Sequence, residues 1–175
     1  MRNKNKSGVA AGASSNSIHN PPPQSQLCFE GETLTRFLKS IQREIESARV
    51  VDAALPLKFW IKQQFAVGVN EVTRALERMP SNHGRTGKAP CVDLQAILLV
   101  SDCNPRWLTK HLPALADARN VPLIFLREKK EGSLRLGELV HLKTTIAIGI
   151  KDKGNAIKQV IKEVLFGNKI DSIEA

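Results

Sequence analysis

Apolar residues recur along this chain with two different periods, which divide it into helical and extended segments. Helical spacing predicts helices at residues 32–51, 57–66, 68–79, 105–116, 134–140 and 155–166. Short, continuous apolar runs predict buried strands at residues 94–100, 121–126 and 144–150. Because the strands are separated by helices, we expect an α/β fold, a three-layer α/β/α sandwich around a small mixed sheet.

The polar stretches between these elements suggest a division of the chain. Residues 1–31 are of low complexity, begin with scattered basic residues and contain a Pro run, so they predict a disordered basic tail. Residues 32–56 then form an N-terminal helix extension, whose partner is either its own core or another subunit. Residues 57–166 form the main domain, with a Pro/Gly/Asn-rich loop in 80–93, and residues 167–175 form a C-terminal tail.

The charge balance narrows the class of partner. The chain has 26 Lys and Arg against 17 Asp and Glu, a formal net charge of +9. Such an excess favours an anionic partner, with nucleic acid first and an acidic membrane surface second. No apolar run reaches eighteen residues, so we expect no transmembrane helix and no membrane partner. Cys28, Cys91 and Cys103 show no CxxC spacing, which is typical of reduced thiols in an intracellular protein.

Candidate residues for metal binding and catalysis are few. Cys91, Cys103 and His111 could be proposed as metal ligands, but their spacing fits no common zinc pattern. His141 lies near Glu138, yet neither a nucleophile nor a second carboxylate accompanies them. The chain also lacks a phosphate-binding P-loop and a GxGxxG motif. We therefore expect no catalytic residues, no metal and no cofactor.

Aromatic residues give little sign of a base-stacking surface. The chain has six Phe, two Trp and no Tyr, and no strand shows the exposed aromatics with which an RNA-recognition sheet stacks bases. Trp60 and Trp107 lie beside apolar helix positions, so we interpret both as packing residues.

The start of the third predicted helix combines an amide, a carboxylate and a guanidinium. Asn70, Glu71 and Arg74 follow Gly68 and lie at i, i+1 and i+4, so Asn70 and Arg74 share a face that Glu71 borders. A carboxylate among basic residues repels phosphate but accepts hydrogen bonds from base N–H groups. The spacing is equally typical of a surface Glu71–Arg74 ion pair, which stabilises a helix only slightly.

Two longer strings carry a family resemblance. GVNEVTRALER, from Gly68, is similar to the signature helix of the kink-turn RNA-binding ribosomal protein family, the L-seven-Ae/L-thirty-e group. LLVSDCNPRWLTKHLPALADARNVPLIFL resembles that family's following strand, helix and strand. The similarity covers about residues 57–166. Most relatives have Lys at the position of Arg74, and Arg there is a feature that this chain shares with the family members found in ribonuclease P and RNase MRP.

The resemblance implies roles for particular residues. In the family, the Asn–Glu pair and the following basic residue contact the tandem sheared G·A pairs of a kink-turn, and a second loop packs apolar residues on an extruded base. These roles would fall to Gly68, Asn70, Glu71 and Arg74, and to the loop Leu142, Lys143 and Thr144. The chain departs from the family at His141, where a second Gly is usual, and at Thr144, where Val is common.

The function that this resemblance implies is a non-catalytic RNA-binding subunit of ribonuclease P or RNase MRP, with residues 57–166 as a kink-turn RNA-binding domain. Its partners would be structured RNA with a kink-turn and other protein subunits, in the nucleus and nucleolus, during tRNA 5′-end and rRNA processing. The same residues also suit a small nucleolar particle, the ribosome or a protein–protein scaffold of the same fold.

Overall fold

A five-stranded mixed sheet lies at the centre of the protein. The computed structural model describes residues 27–80, 93–101, 103–152 and 156–166, so most of the predicted tails and of loop 80–93 lies outside the described residues. The sheet has the order β1-β4-β3-β5-β2; β1 and β3 run parallel to β4, whereas β5 runs antiparallel to β3 and β2. The strands are β1 (Leu27–Glu30), β2 (Phe65–Val67), β3 (Leu94–Val100), β4 (Leu123–Arg127) and β5 (Ala147–Lys151).

Helices cover both faces of this sheet, which confirms the predicted three-layer sandwich. They are α1 (Gly31–Val51), α2 (Leu57–Gln64), α3 (Val69–Arg78), α4 (Leu112–Ala118), α5 (Gly132–Leu139) and α6 (Ala156–Phe166). In β3, Leu98 and its alternate neighbours pack with α1, α2, α5 and α6, whereas Ile97 and Leu99 pack with α3 and α4. This alternation of side chains between two apolar layers explains why β3 is a continuous apolar run. No helix in the described part of the chain is long and apolar enough to cross a membrane.

Helix α1 packs on the chain's own sheet, which decides between the two partners predicted for it. Its stripe of Leu34, Phe37, Ile41 and Ile45 is buried in the same apolar cluster as Ile161 of α6. The helix is therefore part of the core, and its apolar face is buried without another subunit.

The ordered structure begins before the predicted end of the N-terminal tail. Residues 27–30 form β1, which adds to the edge of the sheet beside β4, so the tail predicted to reach residue 31 is wrong for this segment. Phe29 is only 8% exposed, and its ring centroid lies 4.8 Å from that of Phe37. A four-residue edge strand with one buried residue leaves almost no periodicity in the sequence, which is why the pattern missed it.

The hydrophobic pattern also failed to predict the second strand, which begins inside the helix predicted for residues 57–66. Helix α2 ends at Gln64, and Phe65–Val67 pairs with β5. Trp60 of α2 is fully buried, which confirms its interpretation as a packing residue; its indole N–H donates to the Asp52 carboxylate at 3.0 Å. Three extended residues between two helices are too few to establish a period of their own.

The helix predicted for residues 105–116 is broken into a 3₁₀ turn, Arg106–Leu108, and α4. Asn104 and Pro105 therefore do not begin an α-helix as predicted. The cause is Pro113, which lies in the first turn of α4. In a continuous helix its ring would clash with the carbonyl four residues earlier and one hydrogen bond would be lost, so the helix restarts at Leu112.

We predict that β1 contributes measurably to stability through Phe29. Replacing Phe29 with Ala should lower the free energy of unfolding by about 3 kcal/mol, because it removes a buried ring and leaves a cavity. Phe59→Ala is the matched control, because Phe59 is 61% exposed and its loss should cost less than about 0.5 kcal/mol. Urea denaturation of both variants measures the difference; equal effects would mean that β1 does not belong to the cooperative fold.

Candidate nucleic-acid interface

Helix α3 begins with a backbone conformation that only glycine adopts readily. Gly68 has φ +91°, in the region that L side chains avoid, although a Cβ added there would meet no atom within 4 Å. Its N–H donates to the Ala147 carbonyl of β5 at 2.8 Å, and its carbonyl accepts from Val72 N–H at 3.0 Å. Among the described residues no side chain caps this helix end, so the first-turn N–H groups face outward with the positive end of the helix dipole.

Three further contacts fix the direction of α3. Val72 and Leu76 are fully buried against the sheet and α4. The Thr73 hydroxyl lies 2.8 Å from both the Val69 carbonyl and His111 Nε2. A carbonyl can only accept, so the Thr73 hydroxyl donates its single proton to the Val69 carbonyl. The Thr73 oxygen then accepts the hydrogen bond from His111 Nε2. At the other end, Arg119 Nε donates to the Leu76 carbonyl at 2.9 Å.

The predicted recognition residues project into solvent from this fixed helix. Asn70 is exposed, as are Glu71 (58%) and Arg74 (64%), and Arg74 Nη1 donates to Glu71 Oε1 at 3.1 Å. The surface ion pair that periodicity suggests is therefore present. A pair so exposed contributes at most about 1 kcal/mol, so a ligand can replace it at small cost.

An open groove of about 630 Å³ joins these residues to the 3₁₀ turn before α4. Its lining combines amide, carboxylate, guanidinium, imidazole and indole groups: Val67, Gly68, Val69, Asn70, Glu71, Arg74, Trp107, Leu108 and His111. Gly68, Asn70, Glu71 and Arg74 thus lie together as the sequence predicted. Trp107, Leu108 and His111 were not predicted to join them.

Trp107 is 70% exposed, so its interpretation as a packing residue is wrong. That interpretation placed it on a continuous α-helix beside Leu108 and Leu112, where the apolar face would be buried. In the 3₁₀ turn the side chains follow a different period, and Trp107 faces the groove. The signals available in the sequence were Pro113, which excludes a continuous helix, and the cations Arg106 and Lys110 on either side.

The second predicted element, Leu142 to Thr144, is an exposed loop held at its start by a Schellman motif. Leu142 N–H donates to the Gly137 carbonyl at 2.9 Å, and His141 N–H donates to the Glu138 carbonyl at 3.2 Å. His141 has φ +55°, the left-handed conformation that favours glycine, which is the residue that the resemblance leads us to expect there. The chain therefore keeps the left-handed turn with His, a residue enriched in this conformation. Leu142 is 48% exposed, and the Lys143 and Thr144 side chains are also exposed.

Gly137 allows this loop to approach helix α5. A Cβ there would lie 2.8 Å from the Leu142 carbonyl oxygen and 2.9 Å from both N and Cα of Thr144. These are backbone atoms, so any larger residue would displace the loop. The loop also delays the strand: β5 begins at Ala147, not at Thr144 as predicted, because Thr145 N–H donates to the Ser133 carbonyl at 3.0 Å and turns the backbone toward α5.

The two predicted elements lie at the same end of the sheet, although no residue of 142–144 lines the groove. Ala147 connects them, because its carbonyl accepts from Gly68 N–H and it lies only three positions after Thr144. A chain of three residues spans at most about 11 Å, so one extended ligand can contact both elements.

The cysteines and other candidate ligands form no metal site among the described residues. No three His, Cys, Asp or Glu side chains of that part of the chain lie close enough to hold a metal ion. Cys28 and Cys103 are free thiols, and burial raises the pKa of Cys103. Cys91, a residue of the candidate metal set, lies outside the described residues.

Comparison with known proteins identifies the same family as the signature residues. The model of the Ribosomal protein L7Ae/L30e/S12e/Gadd45 family matches residues 85–160, which include the loop 142–144 and begin after α3. Ribonuclease P protein subunit p38 of Bos taurus is 30% identical over 105 residues, and that of Homo sapiens is 30% identical over 131 residues. These alignments cover 60% and 67% of this chain but only 32% and 41% of the two relatives.

Two further comparisons extend this result. Large ribosomal subunit protein eL8 of Caenorhabditis elegans is 32% identical over 98 residues, covering 56% of this chain and 31% of that protein. Among solved structures, the Giardia lamblia 15.5kD RNA binding protein has the same fold, with a TM-score of 0.53 and 18% identity over 79% of this chain and 89% of that one. Residues 85–160 of this chain therefore match the ribosomal protein L7Ae/L30e/S12e/Gadd45 family, and the chain shares the fold of the Giardia lamblia protein.

Proposed function

We propose that this protein binds structured RNA and holds a kink-turn in its bent form. The observation that carries the proposal is the groove beside α3, which is lined by Gly68, Asn70, Glu71 and Arg74, the last three with exposed side chains. The net charge of +9 supports an anionic ligand. The signature helix supports RNA as that ligand, and the Giardia lamblia protein of the same fold is itself an RNA binding protein.

The chemistry of the groove suits tandem sheared G·A pairs. Glu71 accepts hydrogen bonds only, which matches the N1–H and N2–H donors of guanine. Asn70 both donates and accepts, and Arg74 supplies a planar fork for phosphate or for a guanine acceptor edge. Because α3 is already fixed at Gly68, Thr73 and Leu76, binding orders few protein groups and less free energy is lost on association.

The loop of Leu142, Lys143 and Thr144 provides the second contact in this proposal. Leu142 offers an apolar surface to an extruded base, and Lys143 supplies a cation beside it. Thr144 gives less apolar contact than Val would. The protein then selects one RNA conformation by its differential affinity for the bent form.

The particle that we propose is ribonuclease P or RNase MRP. The p38 relatives support this assignment, and so does the resemblance of the signature helix at Arg74. The protein would be a non-catalytic subunit beside other protein subunits, acting in tRNA 5′-end and rRNA processing in the nucleus and nucleolus, while the RNA performs the cleavage.

A second candidate is a small nucleolar ribonucleoprotein or the ribosome, and the similarity to eL8 favours the ribosome. A protein–protein scaffold of the same fold is the third. Sequencing of the RNA that copurifies with the tagged protein distinguishes them. Ribonuclease P or MRP RNA supports the first candidate, small nucleolar or ribosomal RNA the second, and the absence of any enriched RNA the third.

We predict that Arg74→Ala weakens binding of a kink-turn RNA by about tenfold or more, because it removes a charge-assisted hydrogen bond. Arg36→Ala is the matched control, since Arg36 forms a similar exposed ion pair with Glu32 on α1, outside the groove. Electrophoretic mobility shifts measure both affinities. If Arg74 contacts phosphate, the slope of log K against log salt also falls by about 1; equal affinities of the two variants would contradict the site.

We predict that Glu71→Ala costs discrimination more than affinity. The carboxylate repels phosphate and accepts only from base donors, so its loss should weaken binding to tandem G·A pairs and strengthen binding to the same RNA with Watson–Crick pairs there. The ratio of the two dissociation constants should fall by about tenfold. Glu32→Ala, in the matching pair on α1, should leave the ratio unchanged. A ratio unaffected by Glu71→Ala would exclude base recognition by this carboxylate.

The loop residue Leu142 gives a separate test of the second contact. Leu142→Ala should weaken kink-turn binding by about fivefold, because it removes apolar surface from the bound base. Leu134→Ala is the control, since Leu134 is a comparably exposed leucine on α5 (38% against 48%). Unfolding midpoints of both variants should stay close to that of the wild type. If both variants bind RNA equally well, the loop does not contact the base.

A further inference from the structure

Trp107 is the largest apolar side chain of the groove, and it is 70% exposed. The chain has only two tryptophans, and the other, Trp60, is fully buried in the core. An indole left in water forgoes the stabilisation that burial of its large apolar surface would bring. The exposed ring is therefore available to contact a ligand, which would lie in the groove that the ring lines.

The turn that carries the indole has a defined position relative to α3. Its 3₁₀ turn is closed by Leu108 N–H donating to the Pro105 carbonyl at 3.3 Å and by Thr109 N–H donating to the Arg106 carbonyl at 3.4 Å. Three residues after the turn, His111 bonds to Thr73 of α3 at 2.8 Å. The turn that carries Trp107 is thus fixed relative to α3, and Trp107 lines the same groove as Asn70, Glu71 and Arg74.

The charges beside Trp107 decide which ligand fits. Arg106 and Lys110 flank it in sequence and are both exposed, and Arg74 lies on the same groove. An apolar peptide laid on the indole would remove these cations from water without an opposite charge, which is costly. A nucleotide instead offers a base to the ring and a phosphate to the cations, the combination used by proteins that bind single-stranded segments.

We propose that Trp107 stacks on an unpaired nucleobase of the bound RNA, next to the base pairs that contact Asn70, Glu71 and Arg74. This inference rests on the proposed RNA-binding function and adds a contact separate from the loop 142–144. Every base has a π-face, so the stacked base contributes affinity with little preference for its identity. The recognised RNA therefore contains an unpaired residue on the α4 side of the groove.

The test uses the full chain and a kink-turn RNA with an unpaired bulge beside tandem G·A pairs. Trp107→Ala should weaken binding by about tenfold, within the range for one stacked base, and Trp107→Phe should restore part of the loss. Phe59→Ala is the matched control, because Phe59 is a 61% exposed aromatic outside the groove. Because Trp107 is exposed, unfolding midpoints should not change.

Two further measurements identify the stacked base. The RNA should quench the fluorescence of the wild type, and the quenching should disappear in Trp107→Phe, which retains only the buried Trp60. Replacing each bulge nucleotide in turn by an abasic residue should reveal one position at which Trp107→Ala no longer changes the affinity. This loss of additivity would show that the base and the ring contact each other.

The outcomes separate this inference from the function on which it rests. RNA binding that depends on Arg74 but is equal in wild type and Trp107→Ala, without quenching, would overturn the stacking contact and leave the proposed function in place; the exposed indole would then serve a protein partner. Kink-turn binding that is absent, or equal in wild type and Arg74→Ala, would overturn the proposed function and this inference with it.

Discussion

The hydrogen bond from Gly68 N–H to the Ala147 carbonyl is the constraint on which the geometry of the site depends. It joins the first residue before α3 to the first residue of β5, at 2.8 Å. The bond sets where α3 leaves the sheet, and the positive φ of Gly68 turns the chain into the helix at that point. Because β5 lies between β3 and β2 in the sheet, the start of α3 is fixed relative to the core. The proposed recognition side chains at the start of α3 are therefore also fixed relative to the core.

Burial and exposure divide the work of α3 between its two faces. Val72 and Leu76 are buried and hold the helix on the sheet. Glu71 and Arg74 form a weak ion pair that is exposed to water. An exposed ion pair loses little when its partners exchange each other for a ligand. In the proposed function, the fixed side of the helix would supply preorganisation and the exposed side would supply the contacts to RNA.

The sequence predicted the parts of the structure that repeat over many residues. The apolar run of β3 and the stripe of α1 follow from hydrophobic periodicity, and the grouping of Asn70, Glu71 and Arg74 follows from helical geometry. Short elements escaped: β1 and β2 have four and three residues, too few to show a period. Trp107 was misplaced because Pro113 breaks a helix whose apolar pattern runs on across the break. The groove itself depends on contacts between α3 and the turn before α4, which no local pattern encodes.

The central claim is that the exposed end of α3 selects a bent RNA, and the most direct test is to measure the bend. A kink-turn duplex labelled with a fluorescent donor on one arm and an acceptor on the other remains largely extended without divalent cations. We expect the wild-type protein to raise energy transfer between the labels, and a protein with Asn70, Glu71 and Arg74 all changed to Ala to leave it low. A wild-type protein that binds without raising the transfer, or a triple variant that raises it equally, would contradict the account.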